Sequence, residues 1–578
     1  MSLRSSWFLT RSLLLSTCIL AAASISAQPQ QTQSSATADH PDSLPGRPYA
    51  AVGANFYPGF DGYARAVTTS SPEAQRWFNQ GIQLLYGYNH DEAIRSFEKA
   101  TEIDPSCAMG WWGSAYARGL HINNPVMGEE QSRLAYEAAQ KGLLALDDET
   151  PGEVALVRAV AQRYAWPVPE DRTPLDQAYA DAMERAWHQF ADDPDIGVLF
   201  AEALMNLQPW DLWTTKAAPK GRALEIVGIL ERALAKMPHH PGANHLYIHA
   251  IEASPWPERG TAAADRLLHL VPGSGHLVHM PSHIYIRTGR YADAVESNER
   301  AIQADEVYFR LAPPPDFYSA YFLHNIHFLS YAAMMEGRYQ IAIDAARKIE
   351  KQVPHEFLKK YVTRVDGLMP TALHVLIRFG KWNEILDEPE PQEWRLFSRA
   401  ERHYARSLAL TALGRLNESR EELRLFDVVA EQINDEWLVG NNPAKDVLVI
   451  ARKMAEGELA FREGRRDEAF ALLRDAVALE EELRYDEPPG WMQPVRHALG
   501  ALLLADNRPA EAEHVYQADL LRHPENAWSL LGLQQSLGRQ GRTELADALG
   551  ERVKRAWGRA DVKPVASCYC HPDALLQQ

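Results

Sequence analysis

Cysteine is scarce in this chain, with 4 in 578 residues. So few cysteines exclude the disulfide-stapled frameworks of small secreted domains, and stability must come from packed elements instead. Cationic charge is also in deficit, Lys+Arg 59 against Asp+Glu 77, for a formal net charge of -18. Without a basic face to neutralise phosphates, nucleic acid is not expected as a partner. Long hydrophobic runs are missing too. No stretch beyond the N-terminal region approaches the roughly 20 unbroken apolar residues that cross a bilayer, so no transmembrane segment is expected. Alternating Val/Ile/Thr runs with hairpin turns are absent, which leaves little room for sheet. There is no Gly-rich phosphate loop, no G-x-S-x-G elbow and no H-E-x-x-H helix. The remainder, 46% apolar and 24% charged, is the composition of an ordinary folded chain.

The first 27 residues read as a secretory signal. Arg4 and Arg11 supply a positive start, residues 13–23 a short apolar run, and Ile25-Ser26-Ala27 a small-residue cleavage site. An exported protein, periplasmic or extracellular, is therefore expected. Cys18 follows Leu15-Ser16-Thr17, but threonine before the cysteine fits a lipoprotein box poorly, so a lipid anchor at Cys18 is not expected. Removing the signal leaves Cys107, Cys568 and Cys570. Residues 28–70 comprise a polar, proline-containing leader followed by an irregular Gly- and aromatic-bearing cap.

From about residue 71 helical periodicity begins and continues to about 560. Trp77, Gly81, Ala93, Phe97, Ala100 and Pro105 occupy positions 4, 8, 20, 24, 27 and 32 of a 34-residue helix-turn-helix unit. Small residues let two helices approach, large ones fill the gap between units, and proline ends the second helix. The same register returns at Gly289-Arg290-Tyr291, Gly337-Arg338-Tyr339, Gly380, Gly414, Gly464, and at Gly500, Ala512, Tyr516 and Pro524. On these residues the chain resembles the tetratricopeptide-repeat superfamily. The segments PGANHLYIHAIEASPWPERG and GHLVHMPSHIYIRTGRY resemble exported bacterial members of unassigned role. The expectation is an all-α right-handed solenoid of about ten repeats. Repeats with insertions fill 71–235, a histidine-rich centre fills 236–390, further repeats fill 391–560, and a Cys-x-Cys-His tail covers 561–578.

The resemblance implies that positions 2, 5, 9 and 12 of each first helix line a concave face. Those positions fall on His245 and His249, on His276, His279 and His283, and on His324, His327 and Tyr331. His374 also lands at position 9 of its repeat. His279 lies 34 residues after His245 and His283 lies 34 after His249, one repeat length each. Imidazoles at i and i+4 on a helix stand one above the other and can reach one ion. A four-histidine cluster of His245, His249, His279 and His283 is thus expected, flanked by His276, His324 and His327, to hold copper, zinc or iron. Pro281 between His279 and His283 puts the second i,i+4 pair in question. Polar residues on a solvated face, or buried histidines satisfied by neighbours, are the plain alternative.

Further candidate ligands are His374 and the tail residues Cys568, Cys570 and His571, which could grip a soft ion or, in an oxidising compartment, form a disulfide. Glu252 could orient an imidazole. Glu202, Tyr247, Tyr285 and Tyr331 are candidate pocket residues. The function expected is a histidine-lined concave pocket that binds a transition metal with a small molecule or peptide. If it catalyses, it is a metal-dependent oxidoreductase or hydrolase. The competing expectation is a metal-free scaffold for a peptide or protein partner.

Overall fold

A computed structural model describes residues 55–312 and 317–572. The signal-like segment, Cys18 and the polar leader lie outside the described residues. Helices dominate, and the one sheet among the described residues is a two-stranded ribbon pairing Leu438–Val439 with Asn442–Pro443. No helix of the described residues is long and apolar enough to cross a membrane.

Local chemistry defines the first repeat. Ser71 caps the helix Pro72–Tyr86 by accepting from the Ala74 amide, with Pro72 in the first turn, where its missing N–H costs nothing. Asn89 caps the partner helix His90–Ile103 by accepting from Glu92 N–H. Phe97 lies between Gly81 of its own repeat and Gly113 of the next. A Cβ on Gly81 would sit 2.7 Å from its ring, and one on Gly113 would collide with it. The same arrangement recurs near the other end, where Tyr516 lies against Gly500 and Gly532. Glycine is required on both sides there because a ring from position 24 fills the space a Cβ would occupy. Between paired helices the chain passes through left-handed glycines, as at Gly414 (φ 77°) and Gly464 (φ 83°).

The array does not stay open. At the N-terminal side, residues 55–70 run back over the repeats: Tyr63 Oη donates to Asp195 at 2.8 Å, Arg65 bridges Asp193 and Asp195, and the Gly273 amide donates to the Gly59 carbonyl. At the C-terminal side, Trp528 Nε1 donates to the Met334 carbonyl at 2.9 Å and Gln493 Nε2 to the His374 carbonyl at 2.7 Å. Asp561 accepts from the amides of Tyr339 and Gln340. Residues 55–70 and the described residues beyond about 490 therefore fold back against the repeats between them. The alternative of histidines on a solvated face is not met: of the seven regularly placed histidines, only His324 is more than 9% exposed.

Candidate metal centre

Three consecutive first helices carry the histidines. Pro241–Ile251 bears His245 and His249 and is capped by His240, whose Nδ1 accepts from the Ala243 amide. The next is interrupted on paper into Gly275–His279 and Pro281–Arg287. Met280 between them keeps helical dihedrals (φ -50°, ψ -35°), so Pro281 removes a hydrogen bond without diverting the axis. His279 and His283 keep their i,i+4 relation, with Nε2 atoms 2.9 Å apart. Ser319–Glu336 supplies His324 and His327.

These side chains group as two triads rather than as one four-histidine cluster. His245, His249 and His276 form the first, and His279, His283 and His324 the second. Within each triad one ligand nitrogen per residue lies within 4.8 Å of the others. The triads are neighbours, with ring centroids 6.0 Å apart between His249 and His283 and 6.2 Å between His276 and His279. The regrouping arises because His276, one turn before His279, leans toward the preceding helix, where its Nε2 meets His245 Nε2 at 3.1 Å.

The outward nitrogens are anchored. His245 Nδ1 donates to the Tyr86 carbonyl at 2.7 Å. His279 Nδ1 donates to Asn298 Oδ1 at 2.7 Å; the amide of Asn298 is oriented by its own Nδ2, which donates to the Ala294 carbonyl. His249 Nδ1 faces Glu252 Oε1 at 3.0 Å, and His283 Nδ1 faces Glu252 Oε2 at 2.7 Å and Glu487 Oε2 at 3.1 Å. One carboxylate thus braces a histidine of each triad. His249 Nε2 and His276 Nδ1 are buried without a protein partner.

Burial pulls the pKa values of His245, His276, His279 and His324 well below the usual imidazole range, and neighbouring imidazoles add to the effect. His249 is also pulled down by burial, against Glu252. These rings are neutral and present a lone pair. His283 is the exception: burial opposes its charge, but Glu252 and Glu487 outweigh it and hold the pKa up, while the same pairing holds Glu252 down.

The remaining expected residues are not part of the triads. His327 turns its Nε2 to Met492 Sδ at 3.4 Å. His374 stands edge-on to Trp491, with Glu401 at 3.7 Å. Cys568, Cys570 and His571 lie against the C-terminal repeats, so the tail does not reach the triads as added ligands. Tyr247 and Tyr285 donate to Glu231 and Asp265 on the second helices of the repeats and do not face the inner surface. Tyr331 is buried beside Glu487, Arg287 and Trp491 around a cavity of about 70 Å³. Glu202 is buried, accepts from Tyr116 Oη at 2.7 Å, and leaves Oε1 without a partner.

Several contributors escaped the sequence reading. Tyr88 sits in the turn of the first repeat at φ 55°, a left-handed conformation uncommon for a bulky residue. Its ring packs on His121 at 4.3 Å and on His245 at 4.7 Å, and its hydroxyl is buried without a partner. His121 and His90 are 4.4 Å apart on the far side of Tyr88. Trp210, by contrast, is one of the aromatic residues the sequence already offers as ligand-stacking surface, and it meets His249 edge-on at 5.2 Å. A tyrosine where other repeats carry glycine was the one available signal; for Glu487, more than 200 residues from His283 in sequence, there was none.

The tetratricopeptide repeat family pattern matches residues 89–107. No curated protein matches the chain in sequence. Solved structures similar to it include the human IFIT1 dimer with m7Gppp-AAAA, at 13% identity over 82% of this chain and 90% of that one, TM-score 0.30. Yeast Tom70 is similar at 11% identity, 84% and 91% coverage and TM-score 0.27; the APC/C hetero-tetramer Cut9–Hcn1 is similar at 12%, 84% and 76% and TM-score 0.28. The paired helices, the glycine–aromatic packing and the family match define the class: this is an all-α tetratricopeptide-repeat solenoid.

Proposed function

We propose that this solenoid is a metalloprotein whose two buried histidine triads each hold one transition-metal ion. The observation that carries the reading is the division of labour within the rings. His245, His249 and His279 have Nδ1 hydrogen-bonded to a carbonyl, carboxylate or amide oxygen, which leaves Nε2 as the nitrogen offered to an ion, and at His283, whose Nδ1 faces Glu252, the ion would take the place of the second proton. Copper, zinc or iron suits a set of neutral imidazoles, and three protein ligands leave a coordination position at which the ion supplies Lewis-acid or redox chemistry. Glu252 and Glu487 place negative charge beside the second triad and balance the ions.

Tyr88 and Trp210 pack against the first triad and leave little room beside it, so the companion ligand is a small molecule. The competing reading is a metal-free scaffold for a peptide or protein partner; the burial of the histidines favours an ion over a peptide at those residues. A redox-active metal would make the protein an oxidoreductase and zinc would make it a hydrolase. Export remains part of the proposal, on the strength of residues 1–27.

Metal analysis of protein purified without an affinity tag should return about two ions per chain. His249→Ala should remove one and His283→Ala the other. Metal-free protein whose thermal stability ignores chelator would overturn the reading.

A further inference from the structure

A separate site lies in the C-terminal segment. Cys568 and Cys570 form a disulfide across a single residue, with Cα atoms 5.2 Å apart. The segment is docked firmly: Ser567 Oγ donates to the His497 carbonyl at 2.8 Å and pairs with Tyr516 Oη at 2.6 Å, and Arg462 donates to the Cys570 carbonyl at 2.9 Å. Cys570 is buried, whereas Cys568 is half-buried and reachable. Glu458, from the helix Ala444–Arg462, brings a buried carboxyl oxygen within 4.8 Å of both sulfurs. A cavity of about 20 Å³, room for about one water, separates the pair from Met454, Trp382 and Arg378.

We propose that Cys568 and Cys570 form a thiol–disulfide exchange site for small-molecule dithiols, with Glu458 delivering the proton to the departing Cys570 sulfur. A thiolate of the dithiol attacks the reachable Cys568 Sγ. The bond between the two cysteines breaks, its electron pair goes to Cys570 Sγ, and that sulfur takes the proton of the Glu458 carboxyl. The second thiol of the dithiol then attacks its own sulfur in the mixed disulfide and releases Cys568, which takes up the proton that thiol gives up. The dithiol is oxidised to its disulfide, the protein pair is reduced to two thiols, and Glu458 regains a proton from solvent. Burial pushes the Glu458 carboxyl up to about 8 against the pull of Arg462, so it carries the proton at neutral pH. The partial burial of Cys568 favours a small dithiol over a folded protein. The site is independent of the histidine triads, and its failure leaves that reading untouched.

The test uses the full chain, oxidised and held without air, with dithiothreitol as the dithiol. Samples are quenched with iodoacetamide and the peptide bearing both cysteines is weighed. Cys568 and Cys570 should be alkylated in the native protein while buried Cys107 is not. Glu458→Gln should slow reduction about 10-fold or more, while Glu458→Asp retains most of the rate. Cys570→Ser should exchange with bis(2-hydroxyethyl) disulfide to form a mixed disulfide on Cys568 with release of 2-mercaptoethanol, and Cys568→Ser should form little on Cys570. The proposal is overturned if both cysteines are alkylated before dithiol is added or reduction requires denaturant. It is equally overturned if Glu458→Gln matches the parent rate or the two serine variants exchange equally with that disulfide.

Discussion

An imidazole offers two nitrogens, and in this protein the partner of one decides what the other can do. His245 and His279 give Nδ1–H to fixed oxygens, which leaves Nε2 as the lone-pair atom facing the triad. Glu252 serves His249 and His283 together. Glu252→Gln keeps the volume but can accept from only one ring, so metal affinity should fall about 10- to 100-fold at both triads in a chelator-competition titration. An effect confined to one triad would show that the carboxylate does not couple them. His327 supplies a contrast on the same helix as His324. Because its ring turns to Met492, His327→Ala should leave metal content unchanged, and loss of an ion in that variant would place it back among the ligands.

The elements were legible because repeat physics writes itself locally. Gly81, Ala93 and Phe97 state a close helix pair in any context, and the turn glycines mark where each pair reverses. Gly113→Ala would drive a methyl into Phe97 between two repeats; a loss of about 1–3 kcal/mol is expected from denaturant unfolding. Pro281, by contrast, was ambiguous in sequence: proline is a helix breaker when the chain can turn away, and neighbours on both sides of this helix prevent it. Burial also changes the chemistry of second helices. Glu480, in the helix Arg466–Glu482, is pushed up to about 7 by desolvation. Its folded pKa exceeds its unfolded one, so its favourable contribution is complete at low pH and is lost as pH rises from about 4.5 to about 7. Glu480→Gln should therefore stabilise the protein at pH 8 relative to the parent, by up to about 3 kcal/mol, and have little effect at pH 4; equal effects at both pH values would contradict this.

At the scale of the molecule, closure is the decisive feature. Residues 55–70 and the first-repeat turn cover one side of the histidine helices, and the segment around Glu487 to Trp528 covers the other. The tail beyond residue 560 takes part in the closure without touching the triads. Truncation after residue 560 should leave the metal content as it is while lowering the unfolding midpoint of the C-terminal repeats, read by hydrogen exchange across the helix Val495–Ala505. A truncated protein that loses metal would mean that closure, rather than the local triads, holds the ions.

The sequence by itself determined the all-α repeat, the register, and the placing of His245, His249, His276, His279, His283 and His324 on inner faces. Those features depend on residues within 34 positions of one another, so spacing suffices to state them. Only the tertiary structure decided that the inner face is buried, that the histidines part into two triads, that Glu252 joins them, and that Tyr88 and Glu487 close over them. Each of those depends on how small rotations between successive repeats accumulate until residues far apart in sequence meet, and no local pattern of residues encodes that sum.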